Sequence, residues 1–292
     1  MNPATIRALT REGARALHEA GIPTASLDAE TLLAHALRVE RGHLHAHPDA
    51  TVRVEDAARY RDLVARRAAR EPLQYITGVQ EFWSLPFRVT PAVLIPRPES
   101  ELLVEAVVRL NRRDDPRILD IGTGSGCLAV AVAREIPGAL VHAADISEEA
   151  LRVARLNAAT NGVAGRVAFY RGDLFEPFRG RGLEGHSDFI LSNPPYVGAA
   201  ELVGLPPEVR DHEPRPALSA GADPLGVHAR LARGSGAFLR RGGHLIVEIG
   251  QGQAETARAL YHAAPGLEVV EIRPDLAGID RVLIARAVGP PG

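Results

Sequence analysis

The chain has 292 residues, of which 46% are hydrophobic, and a formal net charge of −2 at pH 7. This length can hold one small and one medium-sized domain, and the hydrophobic content excludes wholesale disorder. The near-neutral charge argues against long double-stranded nucleic acid as a partner. No apolar stretch approaches the roughly 20 residues of a membrane helix, and no apolar signal core is found near the N-terminus. We therefore expect a cytoplasmic protein with no membrane association.

Two reactive residue types are scarce or missing. The single cysteine, Cys127, cannot form an internal disulfide, which is consistent with a reducing compartment. The sequence contains no lysine, so every basic residue other than histidine is arginine. A P-loop lysine, a Schiff-base lysine and a Ser-Lys dyad are therefore excluded.

Residues 1–75 predict a small helical bundle. Apolar side chains at helical spacing mark a first helix that ends at Gly21-Ile22-Pro23. Ser26 and Glu30 predict the N-cap and capping box of a second helix over residues 27–37. Residues 54–69 predict a third, amphipathic helix with arginines on its outer face. Several short helices with short loops form a bundle, which we interpret as a docking module for a partner or substrate.

Three histidines, His43, His45 and His47, alternate after the second predicted helix. No cysteine or acidic cluster joins them, and alternation suits extended chain better than a zinc site. We predict a solvated loop here and no metal site.

Residues 76–97 predict a β-hairpin linker between the bundle and the domain that follows. β-branched and aromatic residues alternate with turn formers, and the turn is expected at residues 84–86, between Phe82-Trp83 and residues 87–89. The aromatic content of this segment suggests that it walls a ligand pocket. Pro98 then begins a helix and opens a catalytic domain over residues 98–288.

Strand and helix patterns alternate from residue 117 onward. The predicted strands cover residues 118–121, 140–144, 167–170, 188–191, 244–249, 267–272 and 281–285. The predicted helices cover residues 128–135, 148–160, 227–239 and 254–264, with Ser147 as the cap of the second. This alternation predicts an α/β fold with a doubly wound sheet, and the last two strands predict a terminal antiparallel hairpin.

A glycine turn, Gly122-Thr123-Gly124-Ser125-Gly126, follows the first strand of this sheet. Glycines allow a ligand to approach the backbone closely. Asp120 lies just before the turn, where it would repel a pyrophosphate but attract a cationic group. S-adenosylmethionine carries a sulfonium and an ammonium group and no phosphate, so it fits this turn better than a dinucleotide.

Acidic residues also end the next two strands. Asp145 is placed to accept hydrogen bonds from ribose hydroxyls, and Asp173-Leu174 is placed to flank the adenine. A single aspartate at a strand end is as often a helix cap or loop acid. Three such acids around one glycine turn are much less often accidental, so they indicate one cofactor pocket.

The stretch Ser192-Asn193-Pro194-Pro195-Tyr196 follows the apolar run 188–191. The two prolines make a stiff, extended turn. The Asn193 side-chain oxygen and the Pro194 carbonyl are two acceptors for a planar –NH2 group, on which the Tyr196 ring could stack. The alternative is a rigid proline turn with a capping asparagine. Beside a methyl-donor pocket, the two acceptors predict methyl transfer to a planar –NH2 nitrogen by alignment and electrostatics.

Several stretches together resemble a known family. They are residues 71–101, ending in LIPRPESE, and residues 120–133, 171–177, 192–197, 207–231, 245–253 and 275–286. The whole chain resembles the PrmC/HemK family of peptide-chain release-factor glutamine methyltransferases. The NPPY motif is shared with adenine and guanine amino-methyltransferases, whereas LIPRPESE and EPRPALSAG are far more distinctive. One departure from the family pattern lies at residues 224–228, Pro-Leu-Gly-Val-His, and affects only a local helix start.

The resemblance implies a class I S-adenosylmethionine-dependent methyltransferase fold behind an N-terminal helical domain. It implies methylation of the side-chain amide of the glutamine in the Gly-Gly-Gln loop of release factors, which act in translation termination, with S-adenosyl-L-homocysteine as the leaving product. The residues that would contact the cofactor are Gly122, Thr123, Gly124, Ser125, Gly126, Asp145, Leu174 and Asn193. The residues that would hold the glutamine are Asn193, Pro194, Pro195 and Tyr196, with Asn193, Pro194 and Tyr196 as the catalytic ones. Phe87 and Arg97 would be pocket-wall or structural positions.

Two other functions compete with this interpretation. A nucleic-acid amino-methyltransferase acting on adenine or guanine would need a basic recognition surface or a pocket for a flipped base. The arginines assigned to the outer face of the bundle, Arg59, Arg66, Arg67 and Arg70, leave this open. A non-catalytic S-adenosylmethionine-binding adaptor is the third possibility, against which the intact NPPY motif argues. We expect release factors as protein partners and no stable nucleic-acid partner.

Overall fold

The computed structural model describes residues 4–289, which form two compact units. The helical unit comprises residues 4–79 together with residues 206–212, and the sheet unit comprises residues 80–205 and 213–289. The short segment 206–212 was assigned from sequence to the 98–288 domain, but it packs with the helical unit. Within residues 4–289, no helix is both long and apolar enough to cross a membrane.

Twelve α-helices lie within the described residues. They are α1 (Ile6–Glu19), α2 (Ala25–Leu37), α3 (Arg41–Ala46), α4 (Val54–Ala68), α5 (Leu73–Thr77), α6 (Glu101–Leu110), α7 (Cys127–Glu135), α8 (Glu148–Thr160), α9 (Pro207–His212), α10 (Arg215–Leu218), α11 (Gly226–Ser235) and α12 (Ala254–His262). Short 3-10 turns cover Pro98–Ser100, Glu176–Phe178 and Leu202–Gly204.

Eleven strands lie within the same residues. They are β1 (Val79–Phe82), β2 (Leu85–Arg88), β3 (Arg117–Ile121), β4 (Leu140–Asp145), β5 (Val167–Arg171), β6 (Ser187–Ser192), β7 (Val197–Gly198), β8 (Ser219–Gly221), β9 (Leu239–Glu248), β10 (Leu267–Pro274) and β11 (Asp280–Ala287).

The helical unit packs around α1, α2 and α4. Thr5 caps α1 by accepting a hydrogen bond from the Ala8 amide at 3.3 Å. A glycine is required at position 13, because an added Cβ would lie 1.8 Å from the hydroxyl of the fully buried Tyr60. The predicted N-cap at Ser26 is wrong, since α2 begins at Ala25 and has no side-chain cap. The predicted histidine loop is also wrong, because α3 includes His43 and His45 and gives this segment helical hydrogen bonds.

Arg67 was placed from sequence on the outer face of its helix, and the structure contradicts this placement. Its side chain is buried, and its Nε donates to Asp28 Oδ2 at 2.8 Å. Its Nη1 donates to Glu208 Oε1 at 3.1 Å, so segment 206–212 is tied to the bundle by this ion pair. Burial of a guanidinium is tolerated only when acidic partners and hydrogen bonds compensate its charge, as they do here.

The hairpin β1–β2 turns earlier than predicted. Trp83 and Ser84 occupy the two central positions with φ of 53° and 56°, so the turn is of the two-residue type rather than at residues 84–86. Asn157 of α8 holds the end of β2, because its Oδ1 accepts from the Arg88 amide at 2.7 Å and its Nδ2 donates to the Arg88 carbonyl at 3.0 Å.

The seven-stranded sheet confirms the predicted doubly wound fold. The strand order is β10-β11-β9-β6-β3-β4-β5. Neighbouring strands from β5 to β9 are parallel, and β11 is antiparallel to both β9 and β10, which is the predicted terminal hairpin. Buried side chains form one core on each face of the sheet.

Two element ends differ from the predictions. α11 ends at Ser235 rather than at residue 239, because Phe238 is fully buried in the core and Leu239 already pairs with Ser187. β9 therefore begins at Leu239, five residues before the predicted start at residue 244. Gly242 and Gly243, which precede the predicted start of the strand and are typical turn formers, lie inside β9, where its pairing with β6 is irregular.

Candidate active site

A cavity of about 500 Å³ lies in the sheet unit where β3, β4, β5 and β6 end. Its walls include the residues that follow each of these four strands, as expected for the ligand-binding edge of an open α/β sheet. The volume is within the usual range for small-molecule sites. The wall residues include Arg97, Ser100, Gly122, Thr123, Gly124, Ser125, Leu128, Asp145, Ile146, Asp173, Leu174, Asn193, Pro195 and Arg230.

The glycine turn forms one wall of the cavity. Gly122 and Gly124 have φ of +74° and +54°, and an added Cβ at either position would face open space. The backbone here is therefore left bare toward the cavity, which allows a ligand to approach it closely. Gly126 is not a wall residue; it caps α7, and an added Cβ would lie 3.0 Å from Ala154 Cβ. The structure thus gives Gly126 a packing role against α8.

Asp145 organises the loops around it. Its Oδ2 accepts from the Gly124 amide at 2.9 Å and its Oδ1 accepts from the Ser147 amide at 2.9 Å. Burial raises the pKa of this carboxyl, and the backbone amides that it accepts from oppose that effect. One carboxylate thus connects the glycine turn to the start of α8, and it lines the cavity.

Asp173 and Leu174 lie on the wall contributed after β5. Asp173 forms an ion pair with Arg230, so its carboxylate is already neutralised by a wall residue. Leu174 has φ of +48°, a rare conformation for a branched side chain that indicates a constrained position. These positions agree with a role for Leu174 in flanking a ring.

Asp120 is not a wall residue, so the predicted contact between its carboxylate and the cationic end of the cofactor is wrong. It is fully buried beneath the glycine turn, where its Oδ2 accepts from Thr123 Oγ1 at 2.6 Å. Burial raises the pKa of Asp120 to about 7. Its place in the structure is therefore that of a support for the turn.

The Asn193 turn, Asn193-Pro194-Pro195-Tyr196, follows β6 and contributes another part of the cavity wall. Asn193 and Pro195 line the cavity, whereas Pro194 and Tyr196 are not wall residues. The Asn193 Nδ2 donates to Ser100 Oγ at 3.1 Å. The Tyr196 hydroxyl donates to Glu248 Oε1 at 3.2 Å. The ring that is expected to stack on the substrate is therefore anchored through its hydroxyl.

Further residues of the site were missed as functional residues. Ser100 Oγ donates to Glu248 Oε2 at 2.5 Å, and Glu248 is buried at 2% exposure. Gln253 Nε2 donates to the Tyr196 carbonyl at 3.0 Å. Ser100 and Glu248 lie in the LIPRPESE and LIVEIGQGQ stretches, so the only available signal was the resemblance of those stretches to a family.

Arg97 and Phe87, expected to be pocket-wall or structural positions, differ in their location. Arg97 lines the cavity, and its Nη2 donates to Glu213 Oε1 at 2.6 Å. Glu213 is buried, and its pKa is raised by burial in spite of that guanidinium. Phe87 is fully buried in the core and is not a wall residue, so it is structural.

The cavity fits S-adenosylmethionine. Two bare glycines provide a cradle that a Cβ would fill, and the Asp145 oxygens accept hydrogen bonds beside it. The apolar side chains of Leu128, Ile146 and Leu174 on the wall suit a flat heterocycle. The chain also offers no lysine for a phosphate-bearing cofactor.

Fold and cavity together define a class I S-adenosylmethionine-dependent methyltransferase. A methyltransferase from Pyrococcus furiosus has a similar fold, with a TM-score of 0.53 at 20% identity over 76% of this chain and 98% of that one. Residues 8–78 match the PrmC N-terminal domain and residues 98–203 match the methyltransferase small domain.

Curated relatives then identify the family. The release factor glutamine methyltransferase of Moorella thermoacetica is 43% identical over 96% of this chain and 98% of its own length. That of Geobacter sulfurreducens is 43% identical over 92% of both chains. The chain belongs to the release factor glutamine methyltransferase family, which confirms the resemblance read from its motifs.

Proposed function

We propose that the protein transfers a methyl group from S-adenosylmethionine to the side-chain amide nitrogen of the glutamine in the Gly-Gly-Gln loop of peptide chain release factors. One observation carries the proposal: Asn193 and the glycine turn line the same cavity. A cofactor-binding backbone and an acceptor for an amide therefore face one space. The relatives named as release factor glutamine methyltransferases support this choice of substrate.

The cofactor would be held by the glycine turn and its neighbours. When bound, S-adenosylmethionine supplies a methyl group activated by a positively charged sulfur. Gly122, Thr123, Gly124 and Ser125 present the turn, Asp145 accepts from hydroxyl groups, and Leu174 packs against a ring. Asn193 lines the same cavity and completes the contact set, whereas Gly126 acts by holding α7 against α8.

The substrate amide would be held by the Asn193 turn. An amide nitrogen is a poor nucleophile because its lone pair is delocalised into the carbonyl. Within residues 4–289 the Asn193 Oδ1 makes no hydrogen bond, while Nδ2 is engaged by Ser100, so the oxygen remains to accept one substrate N–H. The Pro194 carbonyl is the proposed second acceptor, and Pro195 and Tyr196 stiffen the turn. Two acceptors fix the nitrogen and increase its electron density, which lowers the barrier by orientation and electrostatics.

Mass spectrometry of a purified release factor, before and after incubation with enzyme and donor, tests the proposal. We expect a single added methyl group on the glutamine of the Gly-Gly-Gln loop. The Asn193→Ala variant should lower the transfer rate by about two to three orders of magnitude, the usual cost of losing one preorganised group in such a site. Asn111→Ala, at the end of α6 and outside the cavity wall, should leave the rate unchanged. Near-normal turnover in Asn193→Ala would contradict the amide-binding role.

Release factors are the proposed partners, and the cytoplasm is the proposed location because release factors act on ribosomes. We propose no stable nucleic-acid partner. Competition assays with DNA and ribosomal RNA in the same reaction distinguish the amino-methyltransferase alternative. Methylation of either nucleic acid, or strong inhibition by it at physiological salt, would contradict the proposed specificity.

A further inference from the structure

A chain of hydrogen bonds connects the cavity wall to one buried carboxylate. Asn193 Nδ2 donates to Ser100 Oγ at 3.1 Å, and Ser100 Oγ donates to Glu248 Oε2 at 2.5 Å. Ser100 and Glu248 are each 2% exposed, so water does not compete for their hydrogen bonds. A relay of this kind is strong because low polarity around it strengthens each bond.

The direction of each bond follows from the chemistry of the three groups. An ionised carboxylate has only acceptors, so the single Ser100 O–H must point toward Glu248. The Ser100 oxygen can then only accept, and its partner on Asn193 must be the –NH2 half of the carboxamide. The Asn193 oxygen is therefore turned away from Ser100, and it forms no hydrogen bond with any residue between 4 and 289.

We propose that Ser100 and Glu248 are positioning residues that fix the orientation of the Asn193 carboxamide, so that its oxygen and not its nitrogen meets the substrate amide. The inference rests on the proposed function, because it assigns how that same site presents its acceptor. A carboxamide without this relay can exchange its oxygen and nitrogen by rotation. The flipped form presents donors to the substrate –NH2, and two donors facing each other repel.

Glu248 also holds a second part of the turn. Its other oxygen, Oε1, accepts from the Tyr196 hydroxyl at 3.2 Å. One buried carboxylate on β9 therefore anchors both side chains of the Asn193 turn that have polar groups. Removal of its charge loosens two contacts in one step, although only the contact through Ser100 controls the Asn193 orientation.

Protonation of Glu248 reverses the logic of the relay. Burial raises the pKa of this carboxyl above its ordinary 4.5. A protonated carboxyl can donate to Ser100, which then donates to the Asn193 oxygen and favours the flipped form. The other titratable and charged groups that face Glu248 are Glu99, Cys127, Tyr196 and Arg281. We expect kcat to fall as the pH falls through the raised pKa of Glu248, and this acid limb should vanish in Glu248→Gln.

Steady-state kinetics on two substitutions of Ser100 and one control variant provide the main test. Ser100→Ala should lower kcat by at least tenfold and change the affinity for S-adenosyl-L-homocysteine, measured by calorimetry, by less than threefold. Ser100→Cys, with a weak donor and acceptor of similar size, should give intermediate activity. Ser187→Ala is the matched control, because Ser187 is a buried serine on β6 whose hydroxyl has no partner within the described chain. It should keep the wild-type kcat.

A second readout does not depend on turnover. The side-chain amide signal of Asn193 in a nitrogen-15 spectrum, assigned by its loss in Asn193→Asp, should shift in Ser100→Ala and stay in place in Ser187→Ala. A wild-type kcat in Ser100→Ala together with an unmoved signal would overturn the positioning role. The Asn193 signal could shift in Ser100→Ala while the wild-type protein transfers no methyl group to release factor. This result would overturn the proposed function and leave the positioning role of Ser100 intact. An acid limb that persists unchanged in Glu248→Gln would remove Glu248 from the relay.

Discussion

Asn157 on α8 joins three parts of the sheet unit, and its removal is the sharpest test of how the cofactor turn is supported. It is 1% exposed. Its side chain accepts from the Arg88 amide at 2.7 Å and donates to the Arg88 carbonyl at 3.0 Å. It also donates to the Ser125 carbonyl in the glycine turn at 2.8 Å. One carboxamide therefore links the hairpin, α8 and the turn.

Asn157→Ala removes all three bonds, and it leaves the Ser125 carbonyl without its buried partner. At about 1 kcal/mol for each bond, we expect a loss of about 3 kcal/mol in the free energy of unfolding. For a domain of 150–250 residues this corresponds to a fall of roughly 6–12 °C in the Tm of the sheet unit. Because the Ser125 carbonyl loses its anchor, the affinity for S-adenosyl-L-homocysteine should also fall several-fold in calorimetry.

Two further variants order the effect. Asn157→Asp keeps an acceptor for the Arg88 amide but places a carboxylate beside two carbonyl oxygens, so it should destabilise more than the alanine. Thr160→Ala, on the exposed side of the same helix, should change the stability by no more than about 0.5 kcal/mol. If Asn157→Ala lost less than about 1 kcal/mol and bound the cofactor product normally, the linking role of Asn157 would be refuted.

Three other variants test the remaining charges. Asp145→Ala removes the acceptor for two loop amides and for cofactor hydroxyls, so calorimetry should show roughly tenfold to hundredfold weaker cofactor binding. Arg67→Met leaves the Asp28 carboxylate buried without its partner, and urea unfolding should show a loss of about 3–5 kcal/mol in the helical unit. Asp120 has a folded-state pKa of about 7 against 3.8 in the unfolded chain, so its contribution to stability is present below pH 3.8 and is lost as the pH rises through 7. The difference in unfolding free energy between Asp120→Asn and wild type should therefore shift by about 3 kcal/mol in favour of the variant between pH 4 and pH 7.

Each of these variants has a control and a contrary outcome. Asp115→Ala, an exposed acid outside the cavity wall, should bind cofactor normally, and equal loss in both variants would remove Asp145 from the site. The double variant Arg67→Met with Asp28→Leu should recover part of the lost stability, and purely additive losses would show that the pair is not coupled. If the difference in unfolding free energy between Asp120→Asn and wild type did not change with pH, Asp120 would have its ordinary pKa in the folded protein.

The strands of the sheet could be predicted because the signals that mark them lie within a few residues of each strand. Apolar runs and glycines marked β3 and its turn, and Ser147 caps α8 as predicted, with its hydroxyl accepting from the Ala150 amide at 3.1 Å. The errors arose where tertiary packing overrides a local signal. α3 forms in spite of its alternating histidines, and β9 continues through two glycines because β6 pairs with its first residue.

The candidate site was predictable only in part for the same reason. The turn at Gly122 and the bend at Asn193 each have a motif. The relay from Asn193 through Ser100 to Glu248 joins residues far apart in sequence, and no spacing rule connects them. The burial of Asp120 was not predictable from sequence either. A strand that is covered on both faces has no exposed side, so its sequence pattern does not show whether an acidic side chain faces the core or the cavity.

The proline content of the cavity has a consequence for how ligands are received. Five prolines, Pro91, Pro96, Pro195, Pro214 and Pro216, contribute to its lining. Each has a locked φ, so the chamber keeps its shape before anything enters, and little chain entropy is lost on filling it. Each also lacks a backbone N–H, so these five positions offer a ligand carbonyl oxygens and hydrocarbon but no backbone donor. The hydrogen-bond donors that a ligand meets must therefore come from other parts of the wall, such as the glycine turn and the guanidinium of Arg97.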